Sequence, residues 1–194
     1  IFLYGFNRPN LSLAVQQKKN NWKDQLLEFL ANRKNESGIV YCLSQKLTEQ
    51  CAEFLQSEGF NAYPFHAGLD AQVKIDTQDK FMTEDNVVVC ATIAFGMGID
   101  KADVRYVAHI SLPSSMEAFY QEIGRAGRDD LEADTLLIFG LQDLFQRKRF
   151  IDMSDAHDSF KIKEHKRLDA LIAYCDSATC RRQTLLSYFI ETCE

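Results

Sequence analysis

The 194-residue sequence lacks every feature that would place it in a membrane or carry it across one. No stretch reaches the roughly 18 consecutive apolar residues that a membrane-spanning helix requires. The opening residues, IFLYGFNR, have neither the basic head nor the apolar core of a signal peptide. They also lack an initiator Met, so we expect residue 1 to lie inside a longer natural protein that has no membrane partner.

Positive charge is also scarce. Lys and Arg number 22 against 28 Asp and Glu, which gives a net charge of −6. This balance argues against binding nucleic acid by bulk electrostatics, but it permits a narrow track of phosphate contacts. Six cysteines are scattered, with Cys42 and Cys90 inside apolar runs, as is typical of reduced thiols. We therefore expect an intracellular protein, either cytoplasmic (including the bacterial nucleoid) or nuclear.

Two parts of a nucleotide-hydrolysing site are absent from the sequence. None of the nine glycines is followed by lysine, which excludes the Gly-Lys-Ser/Thr loop that grips nucleotide phosphates. No Asp-Glu pair is present to hold magnesium. If the chain does contact a nucleotide phosphate, it can supply only half of a shared site.

Short apolar runs alternate with helix-period segments through the first three quarters of the chain. Strands are predicted at 38–42, 60–64, 87–91, 105–110 and 135–139. Apolar residues recur at helical spacing over 22–30 and 47–55, and Ser114 with Glu117 predicts a capping box that opens another helix. Strands that alternate with helices predict βαβ units around a parallel sheet.

The pattern changes near residue 141, after which only helical segments are predicted. These cover 141–152, about 160–175 and about 179–190, with a linker at 154–159. We therefore predict an α/β lobe over residues 1–150, followed by a small helical appendage over residues 151–194.

The densest chemical signal is QEIGRAGRD, from Gln121 to Asp129. If a helix continues through it, Gln121, Arg125 and Arg128 lie on one face. Each glycine inside a helix costs about 1 kcal/mol relative to alanine, which indicates that an anion or another backbone comes close. Arginine suits phosphate because its planar fork donates two parallel hydrogen bonds and keeps its charge. A solvated basic helix end explains the spacing equally well.

Two weaker signals follow predicted strands. Gly96-Met97-Gly98 follows the 87–91 run, where open α/β sheets bind ligands, and the Thr92 hydroxyl could add a donor. His66 stands among small residues after the 60–64 run. A plain tight turn and an ordinary loop histidine explain these features as readily. The turn lacks the third glycine of a Rossmann-like cofactor domain, which disfavours that fold.

Taken together, these segments resemble the second RecA-like lobe of superfamily 2 helicases and, within that superfamily, the RecQ family. Segments in the family's order run from about residue 6 to 189. GIVYCLS from Gly38 is similar to the fourth motif, HAGL from His66 to the following loop, ATIAFGMGIDK from Ala91 to the fifth motif and QEIGRAGR from Gln121 to the sixth. FNRPNL from Phe6 and SSME from Ser114 resemble flanking segments. The resemblance implies a parallel sheet flanked by helices, as in the second lobe of P-loop NTPase-type motors.

The resemblance also implies an ATP-dependent 3′–5′ DNA helicase of DNA repair and recombination. ATP and Mg²⁺ would be held mainly by a missing first lobe, so this chain alone is expected to be inactive. Arg128 would be the arginine finger, with Arg125 beside it and Gln121 ordering the site. Gly98 and Asp100 would contact the nucleotide.

The same resemblance implies two partners: the protein's own first helicase lobe and DNA, single-stranded or duplex. Ser44, His66, Gly68 and Thr92 would contact one strand. Their contacts would be to phosphates and therefore largely independent of base sequence.

The tail from Cys180 to Phe189, CRRQTLLSYF, resembles the start of the family's zinc-binding subdomain. The resemblance implies that Cys180 is a Zn²⁺ ligand in the intact protein. Tetrahedral zinc needs four ligands and the family's later cysteines are not recognisable, so we do not expect zinc in this chain. Cys193 is left unassigned, and Cys175 is interpreted as a buried or incidental thiol.

Three positions depart from the family pattern. Gln45 stands where the fourth motif has arginine, Asp130 replaces the glycine after the sixth motif, and Ile190 replaces the glycine after Tyr-Phe. Two alternative functions stay open. One is the lobe of another superfamily 2 RNA helicase or translocase. The other is a non-enzymatic binding lobe whose arginines pair with a partner's carboxylates.

Overall fold

The computed structural model of the chain describes residues 6–19, 21–95 and 100–191. Six strands form one sheet in the order β1-β6-β5-β2-β4-β3, and every neighbouring pair is parallel. The strands are β1 (Leu11–Gln17), β2 (Gly38–Tyr41), β3 (Asn61–Phe65), β4 (Val87–Ala91), β5 (Tyr106–His109) and β6 (Ala133–Phe139). The helices are α1 (Trp22–Leu30), α2 (Gln45–Ser57), α3 (Ala71–Thr83), α4 (Met116–Ile123), α5 (Leu141–Asp152), α6 (Asp158–Asp176) and α7 (Arg181–Glu191). The predicted parallel α/β class is confirmed.

Two elements were not predicted from the sequence. β1 pairs with β6 at one edge of the sheet, and most of its side chains are only half-buried. An edge strand of this kind does not produce the continuous apolar run that β2 and β4 show. Helix α3 buries only Thr77 and Phe81, so its helical period is weak.

Helices cover both faces of the sheet. Successive residues of a strand point to opposite faces, so Ile39 and Tyr41 belong to one hydrophobic cluster and Val40 to the other. The second cluster includes Leu26 of α1 and Leu55 of α2. Each fully buried side chain of this size contributes roughly 1.5–3 kcal/mol.

The helices after residue 150 share the core of the lobe. Leu168 and Tyr174 of α6 and Phe189 of α7 lie in the same cluster as Phe119 and Ile123 of α4. The three predicted C-terminal helices are thus present, and α6 and α7 cover α4. The division of the chain at residue 150 stays a prediction.

The start of α4 differs from the predicted capping box. Ser115, not Ser114, caps the helix, because its hydroxyl accepts a hydrogen bond from the Ala118 N–H at 3.2 Å. Glu117 faces α7 instead, where its carboxylate accepts from the Tyr188 hydroxyl at 2.9 Å. None of the helices formed by the described residues is long and apolar enough to cross a membrane.

Candidate functional site

Helix α4 ends before the two arginines that the sequence placed on it. Its last residue is Ile123, and Gly127 then adopts a positive φ of 57°. The condition under which Gln121, Arg125 and Arg128 would share one helical face, a helix continuing through the segment, is therefore not met. Gly127 forms part of a turn, and its N–H donates to the Val104 carbonyl at 2.9 Å.

Residues 124–131, which we call the arginine turn, are held by side chains from the start of the chain. Arg8 donates to two consecutive carbonyls, the second that of Gly127, at 3.1 and 2.7 Å. Asn10 Nδ2 donates to the carbonyls of Gly127 and Leu131 at 2.8 and 2.9 Å. A Cβ on Gly127 would lie 2.6 Å from Asn10 Nδ2, so the turn closes this tightly only with glycine. The FNRPNL segment was the one sequence signal that could have pointed to these anchors.

A second anchor lies on the other side of the arginine turn. Both carboxylate oxygens of Asp129 accept from Arg105 Nη2 at 2.6 Å. Hydrogen bonding to Arg105 holds the pKa of Asp129 below its usual value of 3.8. Arg105 directly precedes β5, so this pair fixes the turn against the sheet.

Arg125 is half-buried beside the end of β2. Its charge acts on the hydroxyl of Tyr41, and that hydroxyl donates to the Phe95 carbonyl at 3.1 Å. Burial raises the pKa of Tyr41 well above its usual value, and the charge of Arg125 opposes that rise. Tyr41 therefore bonds the fourth motif segment to the fifth and lies beside Arg125 of the sixth, a position that nothing in its sequence spacing indicated. Gly98 lies outside the described residues.

Arg128 emerges at the surface and meets Asp100. Their Nη1 and Oδ1 atoms are 2.7 Å apart, with 34% of the Arg128 side chain and 87% of the Asp100 side chain exposed. The structure thus brings together residues that were singled out in two separate motifs. An ion pair this exposed contributes about 0–1 kcal/mol, so an anionic phosphate could compete with Asp100 for Arg128. Gln121 is also exposed, on the last turn of α4.

Ser44, Gly68 and Thr92, which we call the loop edge, follow the carboxyl ends of β2, β3 and β4. Those strands are neighbours in the sheet, so the three loops lie along one edge. Ser44 is exposed and caps α2 by accepting from the Leu47 N–H at 3.2 Å. Thr92 is half-buried, and its Oγ1 accepts a long hydrogen bond of 3.4 Å from the Ala94 N–H.

His66 does not present its ring at the loop edge as the prediction requires. The residue is only 3% exposed, and its Nε2 lies 3.2 Å from a carboxylate oxygen of Glu49. Gly68 is exposed with the Gln45 side chain beside it, since a Cβ there would lie 2.6 Å from Gln45 Oε1. Contacts from this loop would therefore involve its backbone rather than the imidazole.

Cys180 stands exposed immediately before α7. Hydrogen bonds from the backbone N–H groups of Gln183 and Arg182 lower the pKa of its thiol, which suits a thiolate metal ligand. Across residues 6–19, 21–95 and 100–191, no group of three or more His, Cys, Asp or Glu side chains is arranged to hold a metal. Burial raises the pKa of Cys175 to about 12, as expected for a structural thiol. Cys193 lies outside the described residues.

Two family models match the chain. The helicase conserved C-terminal domain matches residues 19–130, and the RecQ zinc-binding model matches residues 141–194. The ATP-dependent DNA helicase RecQ of Haemophilus influenzae is 40% identical over 190 residues, covering 98% of this chain and 30% of that protein. The RecQ-like DNA helicase BLM of Xenopus laevis is 43% identical over 196 residues, covering 98% of this chain and 14% of that protein. The chain therefore spans less than a third of these relatives.

Solved structures show the same fold. A DEAD box protein from Methanococcus jannaschii has a TM-score of 0.60 at 24% identity, covering 74% of this chain and 39% of that one. The Saccharomyces cerevisiae dbp5 has a TM-score of 0.62 at 21% identity, and the match covers 83% of this chain and 46% of that one. At these identities the similarity confirms the RecA-like architecture and nothing finer.

Proposed function

Because this chain belongs to the helicase conserved C-terminal domain family, as the C-terminal lobe of a RecQ-type helicase, we propose that it is the second motor lobe of an ATP-dependent 3′–5′ DNA helicase. The names of the relatives support this proposal, since they are called ATP-dependent or RecQ-like DNA helicases. ATP and Mg²⁺ would be held mainly by a first lobe of the longer protein, because this chain has no Gly-Lys-Ser/Thr loop.

The observation that carries the proposal is the exposed Arg128 on a turn that Arg8 and Asn10 hold in place. A preorganised guanidinium stabilises the charge that develops on a transferred phosphoryl group, and such a finger is worth on the order of 10³–10⁵ in rate in GTPases. Arg125 would support Arg128, with Gln121 and Asp100 ordering the site and Gly98 beside the nucleotide. Because the finger reaches ATP only when the lobes close, hydrolysis would open and shut the cleft.

The loop edge would hold one DNA strand. The Ser44 and Thr92 hydroxyls and the backbone around His66 and Gly68 would bind phosphates, which requires no strongly basic surface. This explains how a chain with a net charge of −6 can serve a DNA motor. Repeated cleft opening with alternating grip would then step the protein along the strand.

Zinc would belong to the longer protein. Cys180 would supply one thiolate, in keeping with its lowered pKa and with the RecQ zinc-binding match. The metal would tie the start of α7 to its other ligands, a structural role.

The decisive experiment measures ATP hydrolysis by the full-length protein with and without single-stranded DNA. Arg128→Ala should lower the DNA-stimulated kcat by on the order of 10³-fold, while ATP binding is retained. Arg149→Ala, at another exposed arginine, is the matched control and should behave as the unsubstituted protein does.

Undiminished hydrolysis by Arg128→Ala would refute the finger assignment. Absence of hydrolysis by the unsubstituted protein would favour the non-enzymatic binding lobe. Stimulation by RNA instead of DNA of the same length would favour an RNA helicase.

A further inference from the structure

A buried histidine–glutamate pair next to the arginine turn has no part in the proposed chemistry. His109 Nε2 and a carboxylate oxygen of Glu122 are 2.7 Å apart, and the two residues are 1% and 8% exposed. Burying a carboxylate is costly unless it is paired and hydrogen-bonded. The pair joins the end of β5 to the last turn of α4.

Glu122 also faces an arginine of α5, the helix that follows β6. Arg147 of α5 donates through Nε to the Leu112 carbonyl at 2.7 Å, and it lines the same small cavity as His109 and Glu122. Burial lowers the pKa of Arg147, while the charges of Glu122 and Asp143 oppose that change. Residue 147 lies in the segment that matches the RecQ zinc-binding model.

Two routes connect Glu122 to Arg125. Along the backbone, the Arg125 N–H donates to the Glu122 carbonyl at 3.3 Å. Through side chains, His109 stacks on Tyr41 with centroids 5.1 Å apart and planes 21° apart, and the Tyr41 hydroxyl lies within the electrostatic influence of Arg125. Glu122 therefore neighbours Arg125 along the backbone and also through the stacked His109 and Tyr41 rings.

We propose that Glu122 is a positioning residue that sets the guanidinium of Arg125, and that Arg147 lets α5 take part in building the nucleotide site. This inference rests on the proposed function, because it assumes that Arg125 supports hydrolysis. If the inference holds, α5, which lies in the segment that matches the RecQ zinc-binding model, helps to shape the ATP site without any metal.

The test is a double-mutant cycle in the full-length protein, read as kcat and KM for ATP with saturating single-stranded DNA. Glu122→Ala should lower kcat by on the order of tenfold, with the KM for ATP and the Kd for DNA unchanged within about twofold. Glu122→Gln keeps an oxygen that can accept a hydrogen bond from His109, so its kcat should fall less than that of Glu122→Ala. In an Arg125→Ala background, neither substitution should lower kcat further, because the residue through which Glu122 acts is gone. The control is Glu53→Gln, at an exposed glutamate of α2.

Equal fold-losses from Glu122→Ala in both backgrounds would overturn the inference, and so would a raised KM with unchanged kcat. If Glu122→Ala does not fold, the Glu122→Gln cycle decides by the same criterion. If Arg125→Ala alone retains full kcat, the assignment of Arg125 in the proposed function fails. If Arg125→Ala is impaired and Glu122→Ala is not, only the positioning role fails.

Arg147→Met removes the guanidinium of Arg147 and keeps a side chain similar to its aliphatic part. It should reproduce the kcat loss of Glu122→Gln, and combining it with Glu122→Gln should add no further loss. Wild-type kcat in Arg147→Met would remove α5 from the proposal.

Discussion

The arginine turn and the loop edge are built in opposite ways. The arginine turn is held by Arg8 and Asn10, whose bonds reach 117 to 121 positions along the sequence, and by Arg105. At the loop edge, the hydroxyls of Ser44 and Thr92 bond within three residues of themselves. A transition-state contact tolerates little displacement, whereas phosphate contacts along a strand tolerate more. We therefore expect substitutions in the arginine turn to change stability and substitutions at the loop edge to change DNA binding.

The largest expected effect comes from a methyl group in the arginine turn. Gly127→Ala should lower the free energy of unfolding by about 2–4 kcal/mol, because it strains a positive φ and places Cβ 2.6 Å from Asn10 Nδ2. Urea denaturation followed by circular dichroism measures it. Gly124→Ala is the matched control, with φ −63° and a nearest contact of 3.1 Å, and should cost less than about 1 kcal/mol. Equal losses would show that the turn is not anchored as described.

At the loop edge we expect a change in binding without a change in stability. Thr92→Ala removes a hydroxyl whose one internal hydrogen bond is 3.4 Å long. The Kd for single-stranded DNA should rise about 2–10-fold, while the free energy of unfolding changes by less than about 0.5 kcal/mol. Fluorescence anisotropy of the full-length protein measures the Kd, with Thr92→Ser as the variant that retains the hydroxyl. A stability loss without weaker binding would contradict the assignment.

Acid should loosen the arginine turn through Asp129. The folded pKa of Asp129 is depressed, so its stabilisation is present above the unfolded value near 3.8 and is lost as pH falls through the folded value. Between pH 5 and pH 2, unfolding free energy should therefore fall faster in the unsubstituted chain than in Asp129→Asn. The difference should reach at most about 1 kcal/mol, because the Arg105–Asp129 pair is partly exposed. Asp155→Asn, at an exposed position, should leave the pH slope unchanged.

The smallest expected effect concerns Asp130, where the family pattern has glycine. Asp130 adopts a φ of 62°, the left-handed region that glycine occupies without strain. Asp130→Gly should raise the free energy of unfolding by about 0.5 kcal/mol, since relief of strain outweighs the added freedom of the unfolded chain. Asp130→Asn should be close to neutral because asparagine tolerates this region. Destabilisation by the glycine variant would mean that the aspartate side chain has an unrecognised contact.

Local patterns were enough to predict the centre of the fold. The runs at 38–42 and 87–91 are apolar because β2 and β4 are buried on both faces, and that burial signal does not depend on the rest of the chain. Helices α1 and α2 were visible for the same reason, since one face of each is apolar. The edge strand β1 was missed because its half-buried side chains carry no such pattern.

By itself, the sequence determined the parallel α/β class, the three helices that follow it and the identity of the arginines that suit a phosphate. Only the tertiary structure decided where α4 ends, why Gly127 must be glycine and that His66 is buried against Glu49. The physical reason is the range of the forces involved. Burial and helical period can be recognised from residues that are close together in the sequence. The shape of the arginine turn depends on hydrogen bonds that form only after distant segments of the chain meet.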